Sequence, residues 1–270
     1  MPHAEVNGHR LHHLRRGEGE PLLMIQGLSG NHLHWGEPFL EALEPGFELI
    51  LYDHRGIGHS SGADQAYSIA DLAGDGAGLL DVLQVESAHV LGVSMGGMVA
   101  QELALRHADR VRTLALGCTY AGGPGSARTD PAIVKRLAEL FLSGQVGAAM
   151  QEGMRFNLSR SYAADPANLE PFKRIAAELP TTVDVMLAQL QAIGAHDTSG
   201  RLHEISAPAL IVHGSEDQIL PVSNARAIAE RMPHAQLEIL DGVGHLFWWE
   251  RPHESARLVR ELAGAVPVGQ

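Results

Sequence analysis

A serine enclosed by glycines is the first candidate for chemistry in this chain. Ser94 is the centre of Gly92-Val93-Ser94-Met95-Gly96, between an apolar run typical of a buried strand and a run typical of a helix. A serine hydroxyl is a poor nucleophile at neutral pH, so it needs a neighbouring base, a group that orients the base and donors for the developing oxyanion. Glycines allow the sharp strand-to-helix turn that exposes such a serine. The pattern predicts that Ser94 is a catalytic nucleophile.

Two later residues supply the base and its orienting acid. His245 follows the last predicted strand, and Asp217 follows the strand before it. The carboxyl ends of strands in an open α/β sheet are where ligands bind, which singles out His245 among the 16 histidines. Glu216 is the rival acid, and we expect it to face solvent. The strand that ends near Leu116 is followed by no carboxylate, which favours Asp217.

The oxyanion requires two backbone N–H donors. We expect one from Met95, the residue after the nucleophile. We expect the other from Leu28, in the glycine-containing loop formed by residues 26–30. The alternative for this loop is a plain glycine turn without a catalytic role.

The elements that must position these residues alternate between strands and helices, which predicts a mostly parallel central sheet with helices on both faces. We predict strands at residues 21–25, 48–52, 88–93, 111–116, 208–212 and 236–240. We predict helices after the N-cap Ser68 and at residues 97–107, 222–232 and 252–263. Residues 6–14 indicate an antiparallel hairpin around Asn7-Gly8.

One region breaks this alternation. Residues 121–126 are rich in glycine, and residues 131–193 carry only helical patterns punctuated by Pro166, Pro171 and Pro180. A helical insert between two sheet strands is most simply a separate cap. We therefore divide the chain into an α/β core (residues 1–122 and 202–270) and a helical cap (residues 123–201).

Composition limits the possible partners. The chain has 270 residues and a formal charge of −12 without a basic patch, which argues against nucleic acid. No apolar run approaches the ~18 residues of a membrane span. Cys118 is the only cysteine, and the first residues lack a secretory pattern. We expect a cytoplasmic protein, a monomer or homodimer, that binds neither membrane nor nucleic acid.

Five ordered motifs resemble those of the α/β-hydrolase superfamily. They are Gln26-Gly27 where the family commonly has His-Gly, Asp53–Ser60 matching D-x-R-G-x-G-x-S, the glycine-flanked Ser94, His213–Asp217, and Gly244-His245. The chain most resembles small bacterial members with a helical cap: 3-oxoadipate enol-lactonases, cofactor-free serine haloperoxidases and carboxylesterases. The resemblance implies acyl transfer to water with no metal and no organic cofactor.

The expected substrate is a small-molecule ester, or a related acyl compound, of largely apolar character. Residues expected to contact it are Gly27, His32, Met150, Met154, Phe156, Met186, Leu220 and Leu246. Cleavage of a lactone or of a carbon–carbon bond, and perhydrolysis, are alternatives on the same triad. A ligand receptor with little or no turnover is the alternative from another class.

Several other residues have two interpretations. Arg55 either binds an anionic substrate or, as we favour, fixes its loop by hydrogen bonds to carbonyl groups. The aromatic run Phe247-Trp248-Trp249 either packs the last helix on the sheet, as we favour, or lines the pocket. Histidines 12, 13, 32 and 34 lack a recognised metal-ligand spacing, so we expect no metal there. We expect Cys118 to be a small buried residue.

Overall fold

The computed structural model of the chain describes residues 2–62 and 66–265. Within these residues eight strands form one sheet. The strands are β1 (His3–Val6), β2 (His9–Arg16), β3 (Glu18–Ile25), β4 (Pro45–Tyr52), β5 (Ala88–Val93), β6 (Val111–Gly117), β7 (Ala209–Gly214) and β8 (Gln236–Leu240). Their order across the sheet is β1-β2-β4-β3-β5-β6-β7-β8.

The sheet is parallel except at one edge. Strands β3 to β8 pair in parallel, while β2 runs antiparallel to β1 and β4. The β1–β2 hairpin turns at Asn7 and Gly8, whose φ angles of 50° and 81° are both positive, as a tight two-residue hairpin turn requires. The predicted hairpin and parallel sheet are confirmed.

The predicted strand bounds agree best where apolar runs fill the strand. β5 and β8 have the predicted bounds, whereas β3 and β4 each begin three residues earlier than predicted. These early residues are Glu18, Gly19 and Glu20 in β3 and Pro45, Gly46 and Phe47 in β4, and Gly19 pairs with Gly46 at φ angles of 137° and 113°. The extension was missed because glycine, proline and charged residues, which are depleted in strands, interrupt the pattern there.

The helices of the core cover both faces of the sheet. They are α1 (Glu37–Leu43), α2 (Ile69–Val82), α3 (Met95–Arg106), α9 (Ser223–Arg231), α10 (Phe247–Glu250) and α11 (Pro252–Gly264), with 3₁₀ turns at His32–Trp35, Ala108–Arg110 and Leu202–Glu204. Leu23 and Ile25 of β3 pack in one cluster with α2, α3 and α9. Leu22 and Met24 pack on the opposite face with α1 and α11. Both faces of β3 are therefore buried, as its continuous apolar run predicted.

Ser68 is the N-cap of α2, as predicted. Its hydroxyl accepts the N–H of Asp71, and the Asp71 carboxylate accepts the N–H of Ser68. This reciprocal capping box fixes where α2 begins.

The segment between β6 and β7 is helical, as predicted. It contains α4 (Pro131–Leu142), α5 (Val146–Phe156), α6 (Arg160–Ala163), a 3₁₀ turn (Pro166–Leu169), α7 (Glu170–Glu178) and α8 (Val183–Ala195). We call Pro131–Ala195 the helical insert. Its flanks meet, because Gly122 forms a β-bridge with Asp197 and Thr198 N–H donates to Ala121 O at 2.8 Å. The division at residues 122 and 202 stays a prediction. Within the described ranges, no helix is both long and apolar enough to cross a membrane.

Candidate active site

Ser94 occupies a strained turn between β5 and α3. Its φ of 56° and ψ of −122° lie in a region that residues with a side chain rarely adopt. Its N–H donates to Gly117 O at 2.9 Å, and its carbonyl accepts the Thr119 hydroxyl at 2.7 Å. The end of β6 thus holds the backbone through two contacts, and Ser94 is half-buried.

The glycines beside Ser94 allow this turn to pack tightly. A Cβ at Gly92 would collide with Gly96 O and lie 2.7 Å from the Ala100 Cβ. A Cβ at Gly96 would lie 2.6 Å from Gln26 O and collide with the carbonyl that ends β3. Helix α3 can therefore begin against the strand ends only because these positions lack side chains.

Asp217 is a buried and fully engaged carboxylate. Its Oδ1 accepts the N–H groups of Ile219 and Leu220 at 2.8 and 2.9 Å, and its Oδ2 lies 2.7 Å from Nδ1 of His245. Burial acts to raise the pKa of Asp217, but the charge of His245 and hydrogen bonds from His213 and His245 outweigh it, so the pKa lies well below its ordinary value. Asp217 is therefore ionised at neutral pH. The rival Glu216 is exposed, as predicted.

His213 also contacts this carboxylate, which the sequence interpretation missed. Its Nε2 donates to Leu220 O at 2.8 Å and lies 3.0 Å from Oδ2 of Asp217. A histidine within the fully buried strand β7 must find a polar partner, and this was a signal that could have revealed the contact.

The loop that carries His245 is attached to the helical insert. Glu250 accepts the N–H of Gly244 at 3.0 Å, and its carboxylate also accepts the N–H and the hydroxyl of Ser159 at 2.7 and 2.6 Å. A Cβ at Gly244 would collide with Leu158. Glu250 and Ser159 therefore hold the histidine loop against the insert, a contact that the sequence interpretation missed.

Ser94, Asp217 and His245 follow β5, β7 and β8, whose carboxyl ends lie at the same edge of the sheet. The Nδ1 atom of His245 is hydrogen-bonded to Oδ2 of Asp217. Among the described residues the Ser94 hydroxyl forms no hydrogen bond with His245. Such contacts are often long in an unliganded enzyme and shorten when substrate binds.

The loop after β3, residues 26–30, lies directly on Ser94. A Cβ at Gly27 would lie 3.0 Å from the Ser94 Cβ and 3.5 Å from its Oγ. Within the described part of the chain, the N–H groups of Leu28 and Met95 have no acceptor, so both are available to a ligand. Their role as oxyanion donors stays a prediction.

The helical insert holds this loop through Ser29. Ser29 has a positive φ of 57°, its N–H donates to Oε1 of Gln189 at 2.8 Å, and its carbonyl accepts the Thr181 hydroxyl at 3.2 Å. Gln26 stabilises the first residues of the same loop, because its Oε1 accepts the N–H of Gly27 at 3.0 Å. Gln189 is fully buried and was not predicted to matter.

The residues expected to bind substrate occupy several environments. Met154, Phe156 and Met186 are half-buried on the insert, and Leu246 packs with Met154 around Leu158. Leu220 is buried and supports Asp217 through its backbone. His32 is buried and directs Nδ1 to Asp53 at 3.0 Å. The side chain of Met150 lies outside the described residues. The substrate contacts stay predictions.

The structure corrects the interpretation of Arg55. Instead of bonding carbonyl groups, its guanidinium donates from Nε and Nη2 to the buried carboxylate of Asp75 at 2.7 and 2.6 Å. Asp75 lies on the buried side of α2 and was missed because acidic residues on helices usually face solvent. This pair joins the loop after β4 to α2.

The aromatic run after His245 mainly packs the fold, as we favoured. Phe247 and Trp248 are buried on the face of the sheet that also buries Leu22 and Met24. Trp249 is half-buried, and its ring centre lies 4.5 Å from that of Phe172 on the insert. Cys118 is fully buried, as expected, and burial together with Asp217 raises the pKa of its thiol far above the ordinary value. The thiol is therefore protonated.

A mostly parallel sheet with a strained serine after β5 and an Asp–His pair after β7 and β8 defines an α/β hydrolase. The chain belongs to the α/β-hydrolase fold family, whose model matches residues 20–252. It is therefore a hydrolase with the fold and superfamily that its motifs predicted.

Relatives and solved structures similar to this protein cover nearly the whole chain. A protein of Azorhizobium caulinodans named as a carbamate hydrolase, RutD, is 32% identical, with 92% of each chain covered. A poly(3-hydroxyalkanoate) depolymerase of Ectopseudomonas oleovorans is 30% identical and covers 90% of this chain and 83% of its own. The enol-lactonase of Burkholderia xenovorans LB400 superposes with a TM-score of 0.84 at 28% identity, covering 97% of this chain and 100% of its own.

Proposed function

We propose that this hydrolase cleaves carboxylic esters of small, largely apolar molecules through an acyl-enzyme on Ser94. The observation that carries the proposal is the 2.7 Å contact between Asp217 Oδ2 and His245 Nδ1, at the same sheet edge as the strained Ser94. An ionised, buried acid that binds Nδ1 leaves Nε2 of the ring as the site for the proton of a nucleophile.

The reaction has two steps. Ser94 Oγ attacks the ester carbonyl carbon while its proton passes to His245 Nε2, and the oxyanion accepts the N–H groups of Leu28 and Met95. The imidazolium then protonates the departing alcohol, and the C–O bond breaks to leave the acyl-enzyme. Water attacks this intermediate with His245 again as base, which releases the acid and restores Ser94.

An apolar acyl group is favoured by the residues that the insert offers. Met154, Phe156 and Met186 are half-buried, so part of each side chain is available beside the core. Flexible methionine side chains adapt to ligands of different shape.

The test of the proposal is hydrolysis of p-nitrophenyl acetate together with labelling by a fluorophosphonate. We expect Ser94→Ala to lose about three or more orders of magnitude in kcat/KM and all labelling, because the remaining donors alone give little turnover. Ser143→Ala, an exposed serine at the end of α4, serves as the control and keeps both. Labelling or full turnover in Ser94→Ala excludes the proposal, and a wild type without label favours a non-catalytic receptor.

Hydrolysis of a lactone is the second candidate, because the enol-lactonase noted above aligns with nearly the whole chain. A lactone is a cyclic ester, so the same steps apply except that the leaving alcohol stays on the acyl group. A substrate panel of linear esters, lactones, carbamates and vinylogous diketones distinguishes the candidates. A kcat/KM for lactones well above that for esters assigns the second candidate. Exclusive turnover of a diketone excludes both, and turnover only with peroxide indicates perhydrolysis.

A further inference from the structure

Three histidines surround a buried carboxylate that is not part of the proposed triad. We call His12, His32, His59 and Asp53 the histidine cluster. His12 comes from β2, His32 begins the 3₁₀ turn after β3, and Asp53 and His59 lie in the loop after β4. The fold therefore assembles the cluster from three segments that are distant in sequence.

The nitrogen and oxygen atoms of the cluster converge. Nδ1 of His32 lies 3.0 and 3.1 Å from the two oxygens of Asp53, and Nδ1 of His12 lies 3.2 Å from Oδ2. One ligand atom from each of the three residues lies within 4.8 Å of the others. Ligands about 2.0–2.1 Å from a metal ion lie roughly 3.0–3.4 Å apart. The observed separations between nitrogen and oxygen match this spacing.

The third ring approaches from the outside. The ring of His59 is 5.0 Å from that of His12 and 5.8 Å from that of His32, while the rings of His12 and His32 are 4.8 Å apart. His12, His32 and Asp53 are buried, whereas His59 is half-buried. An ion would reach the buried ligands past His59, which is also placed to become a further ligand.

Backbone groups occupy only part of the Asp53 carboxylate. Its oxygens accept the N–H groups of His32 and His59 at 2.8 and 3.0 Å. A carboxylate has about four acceptor sites, so two remain, and both imidazole rings approach them.

We propose that His12, His32 and Asp53 bind one divalent first-row transition-metal ion, with His59 as an additional ligand. Two imidazoles and one carboxylate are a donor set that suits zinc, cobalt, nickel or ferrous iron rather than calcium or magnesium. Each ring gives its Nδ1 lone pair to the ion and carries its proton on Nε2.

The site is separate from the proposed triad but adjoins the loop over Ser94. His32 is two positions after the loop formed by residues 26–30. His54, the neighbour of Asp53, donates from Nε2 to the carbonyl oxygen of Gln26 in this loop at 3.0 Å. A bound ion would thus brace the base of this loop, without taking part in the chemistry at Ser94.

The test uses the full chain after removal of metal with a chelator. Co²⁺ is titrated while its visible absorption is followed, and Zn²⁺ is measured by competition with a chromophoric chelator. We expect one equivalent of ion per chain. His12→Gln and His32→Gln should each weaken binding by about tenfold or more, since each removes a ligand while leaving an amide that can still bond to Asp53.

His234→Gln is the matched control, because His234 is exposed and remote in sequence from every cluster residue. It should bind the ion as the wild type does. The proposal is wrong if the wild type binds no stoichiometric ion, or if binding is unchanged in both cluster variants. Anomalous diffraction from wild-type crystals grown with Zn²⁺ does not depend on the folding of any variant. A peak between His12, His32 and Asp53 supports the site, and a peak only elsewhere, or none, overturns it.

Discussion

Replacing Asp217 by asparagine isolates the role of the buried acid. In the wild type, Oδ1 accepts two backbone N–H groups and Oδ2 faces Nδ1 of His245. An asparagine keeps its oxygen toward the two N–H groups and therefore turns its NH₂ group toward His245. Nδ1 of the ring then becomes an acceptor, and the ring proton moves to Nε2, where it blocks proton transfer from Ser94.

The size of the effect follows from the contacts that catalysis must restore. Reaction requires the other tautomer, in which N–H faces N–H, and leaving a buried donor without an acceptor costs about 1–3 kcal/mol. The imidazolium also loses a charge-assisted hydrogen bond to Asp217, worth about 1.5–3 kcal/mol. The sum of about 2.5–6 kcal/mol corresponds to a loss of roughly 10²–10⁴ in kcat.

The assay is steady-state hydrolysis of p-nitrophenyl acetate, with circular dichroism to verify folding. Glu216→Gln is the control, because this neighbouring carboxylate is exposed and should keep wild-type kcat. The reasoning is refuted if folded Asp217→Asn retains more than a tenth of wild-type kcat. It is refuted equally if Glu216→Gln shows the larger loss.

Three further predictions concern stability. Gly96→Ala should lower the free energy of unfolding by about 1–3 kcal/mol and slow fluorophosphonate labelling, because the new Cβ meets two carbonyl groups. Arg55→Met should lower the free energy of unfolding in urea by about 3–5 kcal/mol, since it leaves the buried Asp75 carboxylate without its cation and with only Asn7 as a side-chain donor. Burial lowers the pKa of His196 from 6.5 to about 4, so as the pH falls the unfolded state binds a proton on this ring before the folded state does. Stability should therefore fall by up to about 3 kcal/mol per such group between pH 6.5 and 4.

Each of these has a matched comparison. Gly147→Ala adds its Cβ in open space at an ordinary helical φ and should be neutral or slightly stabilising, so an equal loss would contradict the steric argument. Arg136→Met removes an exposed partner of Glu152 and should cost at most about 1 kcal/mol. His196→Gln should flatten the fall of stability below pH 6.5, and an unchanged slope would exclude this histidine as its source.

The sequence predicted best what is local in the chain. Ser94 directly follows β5, and Asp217 and His245 come shortly after the ends of β7 and β8, so one short window contains each candidate residue, its strand and the turn glycine. The bounds of β5 and β8 and the helical insert were predictable for the same reason, because strand runs and helical periodicity are properties of neighbouring residues.

Contacts between distant segments could not be predicted in this way. The approach of His12 and His32 to Asp53 spans 41 and 21 positions and depends on the pairing of β2 with β4. Gln189 is 160 positions from Ser29, and nothing about a glutamine in an amphipathic helix indicates that its amide will reach a loop over the serine. Such contacts depend on how elements pack, which a single sequence does not encode in any short window.

The hydrogen bonds from Ser29 to Gln189 and from Thr181 to Ser29 have a consequence for engineering a new substrate specificity. Exchanging the insert for that of a relative is an obvious way to graft a different substrate preference onto this core. The exchange would also remove Oε1 of Gln189, which accepts the Ser29 N–H at 2.8 Å, and the loop over Ser94 would lose this support. A chimaera should therefore fail in turnover as well as in selectivity unless the donor helix carries an amide at the position of Gln189. The insert would therefore affect both substrate selectivity and turnover, and an exchanged insert has to preserve both.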